Sequence, residues 1–76
     1  MSKNVDVIIR THNPLTEVQF EAVASQVQAM EGIVEFKRNA RLPNFIMVVY
    51  NAGQTKALAI LNKVTRLGFN ASLIAG

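Results

Sequence analysis

The sequence predicts an α+β sandwich in which a four-stranded antiparallel sheet carries two helices on one face. Two observations point to it. Short apolar runs with period two recur along the chain, and apolar residues at helical 3-4 spacing fall between them in two places. The resulting order, βαββαβ, commonly closes as a ferredoxin-like sandwich. Composition agrees: of 76 residues, 50% are hydrophobic and 17% are charged, which excludes a disordered polymer. At that length residues 1–76 read as a single domain with a thin stability margin.

The elements follow in order. Val5-Asp6-Val7-Ile8-Ile9-Arg10 alternates and is β-branched, so it reads as a strand. His12-Asn13-Pro14-Leu15 is a loop, because Pro14 cannot continue a sheet ladder. Thr16-Glu17-Val18-Gln19 is a capping box: the Thr hydroxyl accepts from the Gln19 amide, and the Gln side chain accepts from the Thr amide. A helix therefore starts at about Thr16, buries Phe20, Val23, Val27 and Met30, and ends at Gly32. Ile33 to Arg41 is the second strand, Leu42-Pro43-Asn44 turns the chain, and Phe45 to Tyr50 is the third. Asn51-Ala52-Gly53 breaks it. Lys56 to Leu67 is the second helix, with Ile60, Leu61, Val64 and Leu67 on its apolar face and Gly68 beyond its end. Phe69 to Ile74 is the last strand.

Several functional classes drop out. Cys is 0, which removes disulfides, thiolate metal sites, iron–sulfur clusters and cysteine nucleophiles. Asp6 is the single Asp, no motif frames a nucleophile, no carboxylate pair stands at catalytic spacing, and Gly53 has no phosphate-cradling partners, so an enzyme is not expected. The longest apolar runs fall far short of the roughly 20 residues of a membrane helix, and Met1 to Asp6 has no apolar signal core. A cytoplasmic location is the expectation. Asn70-Ala71-Ser72 matches a glycosylation sequon by chance, inside an expected strand.

Three stretches carry a resemblance. They are Val48-Val49-Tyr50-Asn51-Ala52-Gly53-Gln54-Thr55, then Ile60-Leu61-Asn62-Lys63-Val64, then Leu67-Gly68-Phe69-Asn70-Ala71-Ser72-Leu73. With Glu31-Gly32-Ile33, they make the chain resemble a heavy-metal-associated domain, the copper-chaperone-like module also found at the front of metal-pumping ATPases. The resemblance covers nearly the whole chain and implies the same sandwich. It also implies that Asn13 to Gln19 takes the place of the family's metal loop, with Thr16 and Gln19 in its two cysteine positions. Soft Cu(I) wants sulfur ligands, so thiolate copper transfer through this loop is not expected.

Two surfaces and one loop are candidate sites. His12, the single His, lies in that loop, and with Glu17 it could bind Zn(II), Cu(II) or Ni(II), across a dimer if one forms. Otherwise no cofactor is expected. Arg10, Lys37, Arg38, Arg41 and Arg66 should gather at the same end of the domain, near His12, where a net charge of +3 suits an acidic protein partner. Strand alternation points Ile46, Val48 and Tyr50 at the helices and leaves Phe45, Met47 and Val49 on the outer face, with Ile8 and Ile33 beside them. An apolar outer face suits a homodimer or docking onto a larger protein. RNA-recognition motifs share this topology, but the first strand has no aromatic and the lysine/arginine–glycine–aromatic signature is missing, so nucleic acid is not expected. The first-ranked function is therefore a binding module of a metal-handling or transport system that acts by protein contacts. Non-thiolate metal binding is the alternative. A small-molecule-sensing regulatory domain of the same topology ranks below both.

Overall fold

The computed structural model describes residues 3–74. Its elements are β1 (Asn4–Thr11), α1 (Glu17–Gln28), β2 (Ile33–Arg38), β3 (Phe45–Asn51), α2 (Ala57–Arg66) and β4 (Ala71–Ile74). The expected βαββαβ order is met. The sheet order is β2-β3-β1-β4 and every pairing is antiparallel. Strands β1 and β3 are therefore central, and β2 and β4 are edges.

The core lies between the sheet and the helices. Ile9, Val23, Val27, Ile46, Val48, Ile60 and Val64 are fully buried there. Burying each such side chain is worth roughly 1.5–3 kcal/mol relative to exposure. The two stripes read from helical spacing supply Val23 and Val27 from α1 and Ile60 and Val64 from α2. Phe20 stacks on Phe36 of β2, with ring centroids 5.4 Å apart.

Element ends depart from expectation for identifiable reasons. Strand β2 stops at Arg38 rather than Arg41. The Asn39 side chain accepts from the Arg41 and Leu42 amides, so the turn starts three residues early. Helix α1 ends at Gln28, which leaves Met30 in the following turn, still packed against the core. Gly32 then takes a φ of 91°, the left-handed region that favours glycine. Strand β4 starts at Ala71 rather than Phe69, and the Phe69 side chain instead packs against the core. Leu67, expected on the apolar face of α2, is the helix C-cap and is exposed. Ile33, expected on the outer face, pairs with Tyr50 and packs inward against the core.

Candidate functional site

The loop between β1 and α1 is tied down at three points. Thr11, 1% exposed, donates its hydroxyl to the Asn13 carbonyl at 2.8 Å. Its backbone N–H bonds the Asn44 carbonyl in the hairpin at 2.8 Å. The His12 N–H bonds the Asn70 carbonyl ahead of β4, also at 2.8 Å. Leu15 is buried in the core, which anchors the far side of the loop.

The capping box then opens α1. The Gln19 N–H donates to Thr16 Oγ1 at 3.1 Å, and the Thr16 N–H donates to Gln19 Oε1 at 2.9 Å. Both side chains satisfy helix-end amides that have no partner inside the helix. Thus the two residues that the family resemblance sets in cysteine positions are hydrogen-bonded to each other's backbone.

Arg38 clamps the same loop from the sheet. Its Nη1 donates to the Leu15 carbonyl at 2.6 Å, and its Nη2 lies 3.4 Å from Glu17 Oε1. The guanidinium carbon sits 4.7 Å from the Phe20 ring centroid. Only 21% of the Arg38 side chain is exposed, so much of its charge is spent inside the fold. Period-two alternation in β2 places Arg38 on the same face as buried Phe36, and that is the sequence signal available for this role.

The candidate residues thus divide among three places. Arg10, Lys37, Phe45, Met47 and Val49 share the outer face: Arg10 is level with Phe45, and Lys37 with Met47. Arg38 faces the helices, bound to the loop. Arg41 is exposed in the hairpin turn, and Arg66 closes α2 at the same end of the domain. His12 is exposed beside a shallow hollow shared with Pro14, Gln19, Phe69 and Asn70. The Glu17 carboxylate is engaged by Arg38. No group of three or more His, Cys, Asp or Glu side chains able to hold a metal occurs among the described residues. The loop donors are a hydroxyl, an amide and a single imidazole, which do not fit soft Cu(I).

The outer face has one apolar row. Ile8 pairs with Met47 on one side and Ile74 on the other, and Phe45 and Val49 flank Met47 along β3. All five are partly exposed. Ile74 takes the place expected for Ile33. A second apolar surface, unanticipated from sequence, is the groove where Val18 and Ala22 of α1 approach Leu67 and Phe69.

Solved structures share this backbone. Oxidised MerP from Ralstonia metallidurans CH34 superposes with a TM-score of 0.79 at 11% identity, over 92% of this chain and 96% of that one. The fold is that of the heavy-metal-associated domains. A copper-binding domain of HMA7, a P-type ATPase, gives 0.80 at 18% identity over 92% and 93% of the two chains. The yeast copper transporter domain Ccc2a, solved in apo and Cu(I)-loaded states, gives 0.79 at 19% identity over 91% and 93%. No family model matches the sequence, and no curated protein matches it. At these identities the likeness is one of fold, and it meets the resemblance read from the sequence. Among the described residues no helix is long and apolar enough to cross a membrane.

Proposed function

We propose that this chain is a binding module of a metal-handling system that works through protein contacts and carries no thiolate-bound metal. The observation that carries the reading is the capping box. Thr16 and Gln19 convert the end of the loop into a helix cap, and Thr11 and His12 at its start are bonded to Asn44 in the hairpin and to Asn70 ahead of β4. A hydroxyl and an amide engaged in a cap present a fixed polar surface and no soft ligand for Cu(I). Two further features support a protein partner. Arg41 and Arg66, with Arg10 near the same end of β1, leave the loop end positive for an acidic surface. Phe45, Met47 and Val49 supply apolar area to bury. Solved structures of the same fold include a copper-binding domain of a P-type ATPase and a yeast copper transporter domain, which supports a partner within metal handling.

Native mass spectrometry with Cu(I), Cu(II), Zn(II) and Ni(II) tests it. The expected result is a metal-free protein with each ion at low micromolar excess. The variant carrying both Thr16→Cys and Gln19→Cys should retain one Cu(I), because the backbone already holds those positions on one helix turn. One ion bound per chain, or per pair of chains, and lost in His12→Ala would replace this reading with non-thiolate metal binding. Calorimetric titration against acidic-surfaced domains of metal transporters tests the contact surface. Arg41→Glu and Arg66→Glu should each weaken that binding at least about tenfold.

A further inference from the structure

We infer that the outer sheet face is a self-complementary surface on which a second copy of this chain packs about a two-fold axis running across the strands. This rests on the protein-contact reading above and names the partner for one of its surfaces. On β1 the outward residues run Asp6, Ile8, Arg10: an acid, a central aliphatic and a base. On β3, paired alongside, they run Val49, Met47, Phe45 in the same direction. Ile8 and Met47 are directly opposite one another, so one row through them is the centre of both triplets.

A two-fold axis along that row reverses the strands and leaves the row in place. Ile8 then meets Ile8 of the second copy, and Met47 meets Met47. Asp6 lies over Arg10 of the second copy, and Arg10 over its Asp6. Val49 lies over Phe45, and Phe45 over Val49. Every outward residue of the two central strands from Asp6 to Arg10 and from Phe45 to Val49 thereby meets a suitable one. Lys37, level with Met47 on the β2 edge, meets its own copy at the margin, where Glu35 of the same chain offsets its charge. A two-fold axis parallel to the strands would instead set Asp6 level with Asp6 and Arg10 level with Arg10, so charge selects the first arrangement.

The dimensions agree. Packed sheets stand about 10 Å apart, a gap that an aspartate and an arginine span together. Among the described residues neither Asp6 nor Arg10 makes an ion pair within the chain, whereas Lys37 and Glu35 pair with each other at 3.8 Å. Four strands about 4.8 Å apart give a face only roughly 20 Å across. The outward triplets run about 14 Å along each strand, so the patch covers roughly 300 Å², small beside the roughly 800 Å² per partner of a standard interface, and the dimer is weak.

Sedimentation equilibrium from about 1 µM to about 1 mM reads it directly. Wild-type protein should show reversible monomer–dimer exchange that weakens with salt. Asp6→Arg and Arg10→Asp should each be self-repelling, with dimer dissociation constants raised at least about tenfold. Mixed one to one they should form a heterodimer. The first variant carries a base at both ends of its β1 triplet and the second an acid at both ends, so each charge then faces its opposite. Far-UV circular dichroism of each variant checks the fold. A wild-type protein monomeric at about 1 mM overturns the inference and assigns the face to a different protein. Dimers that both single variants retain also overturn it, since the contact then lies elsewhere. Neither result touches the metal-free reading of the loop, which mass spectrometry decides separately.

Discussion

Arg38 shows how one side chain changes its meaning between sequence and structure. As a basic residue beside a hairpin it looks like a surface charge for steering a partner. In the fold it makes a charge-assisted bond to the Leu15 carbonyl, an ion pair to Glu17 and a cation–π contact to Phe20. The pair to Glu17, whose side chain is 82% exposed, adds little, because surface pairs are screened by solvent. The carbonyl bond and the ring contact dominate. Arg38→Ala should therefore lower stability by about 2 kcal/mol in chemical denaturation. Arg38→Lys should recover only part of it, because an ammonium cannot stack as a planar guanidinium does. An Arg38→Ala protein as stable as wild type would remove the clamp.

At the scale of elements, the two helices are finished differently. Helix α1 opens with a full capping box and an acidic residue, Glu17, in its first turn. Helix α2 opens on Lys56, whose extended backbone suits an N-cap but whose side chain makes no capping bond. Lys56→Asp should add about 1 kcal/mol, read as a higher unfolding midpoint, because the carboxylate accepts from a free amide and faces the positive helix end. The glycines after each helix make a matched pair. Both have positive φ, 91° at Gly32 and 101° at Gly68. A Cβ at Gly32 would stand 2.9 Å from the Gln54 Cβ, while one at Gly68 would meet nothing within 4 Å. Gly68→Ala should cost about 1 kcal/mol from conformation alone. Gly32→Ala should cost clearly more by the same thermal melt, since the turn beside β3 must also move. Equal losses would show that the crowding relaxes freely. These two glycines are legible in the sequence as helix stops. The difference between them is not, because it depends on Gln54, which is remote in the chain.

At the scale of the molecule, a domain of this size has a net stability of only about 4–11 kcal/mol. One core deletion is therefore a large fraction of the total. Ile46 and Met47 are neighbours on β3 that point to opposite faces, fully buried and partly exposed respectively. Ile46→Ala should cost about 2–5 kcal/mol, while Met47→Ala should cost under about 1 in the monomer. Urea unfolding at low protein concentration separates them, and equal losses would mean that the outer face is packed like the core. The outer face itself is partly legible. Alternation in β3 places Phe45, Met47 and Val49 together, but the bulge between Ile33 and Glu35 shifts the register of β2. No local pattern in Ile33-Val34-Glu35 announces that shift, so alternation alone assigns Ile33 to the wrong face.

The sequence by itself determined the element order, the helix cap at Thr16 and the core stripes apart from Leu67. These are local matters: side-chain period, proline and glycine geometry, and hydrogen bonds across three residues report them directly. The resemblance to heavy-metal-associated domains added that Thr16 and Gln19 stand where thiolates would be. Only the tertiary structure decided which charges are free. It bonded Arg38 to the Leu15 carbonyl, placed the strand that carries Asp6, Ile8 and Arg10 at the centre of the sheet, and brought Ile74 beside Ile8. Those outcomes depend on strand order and register between segments from opposite ends of the chain, and no pattern within one segment carries that information.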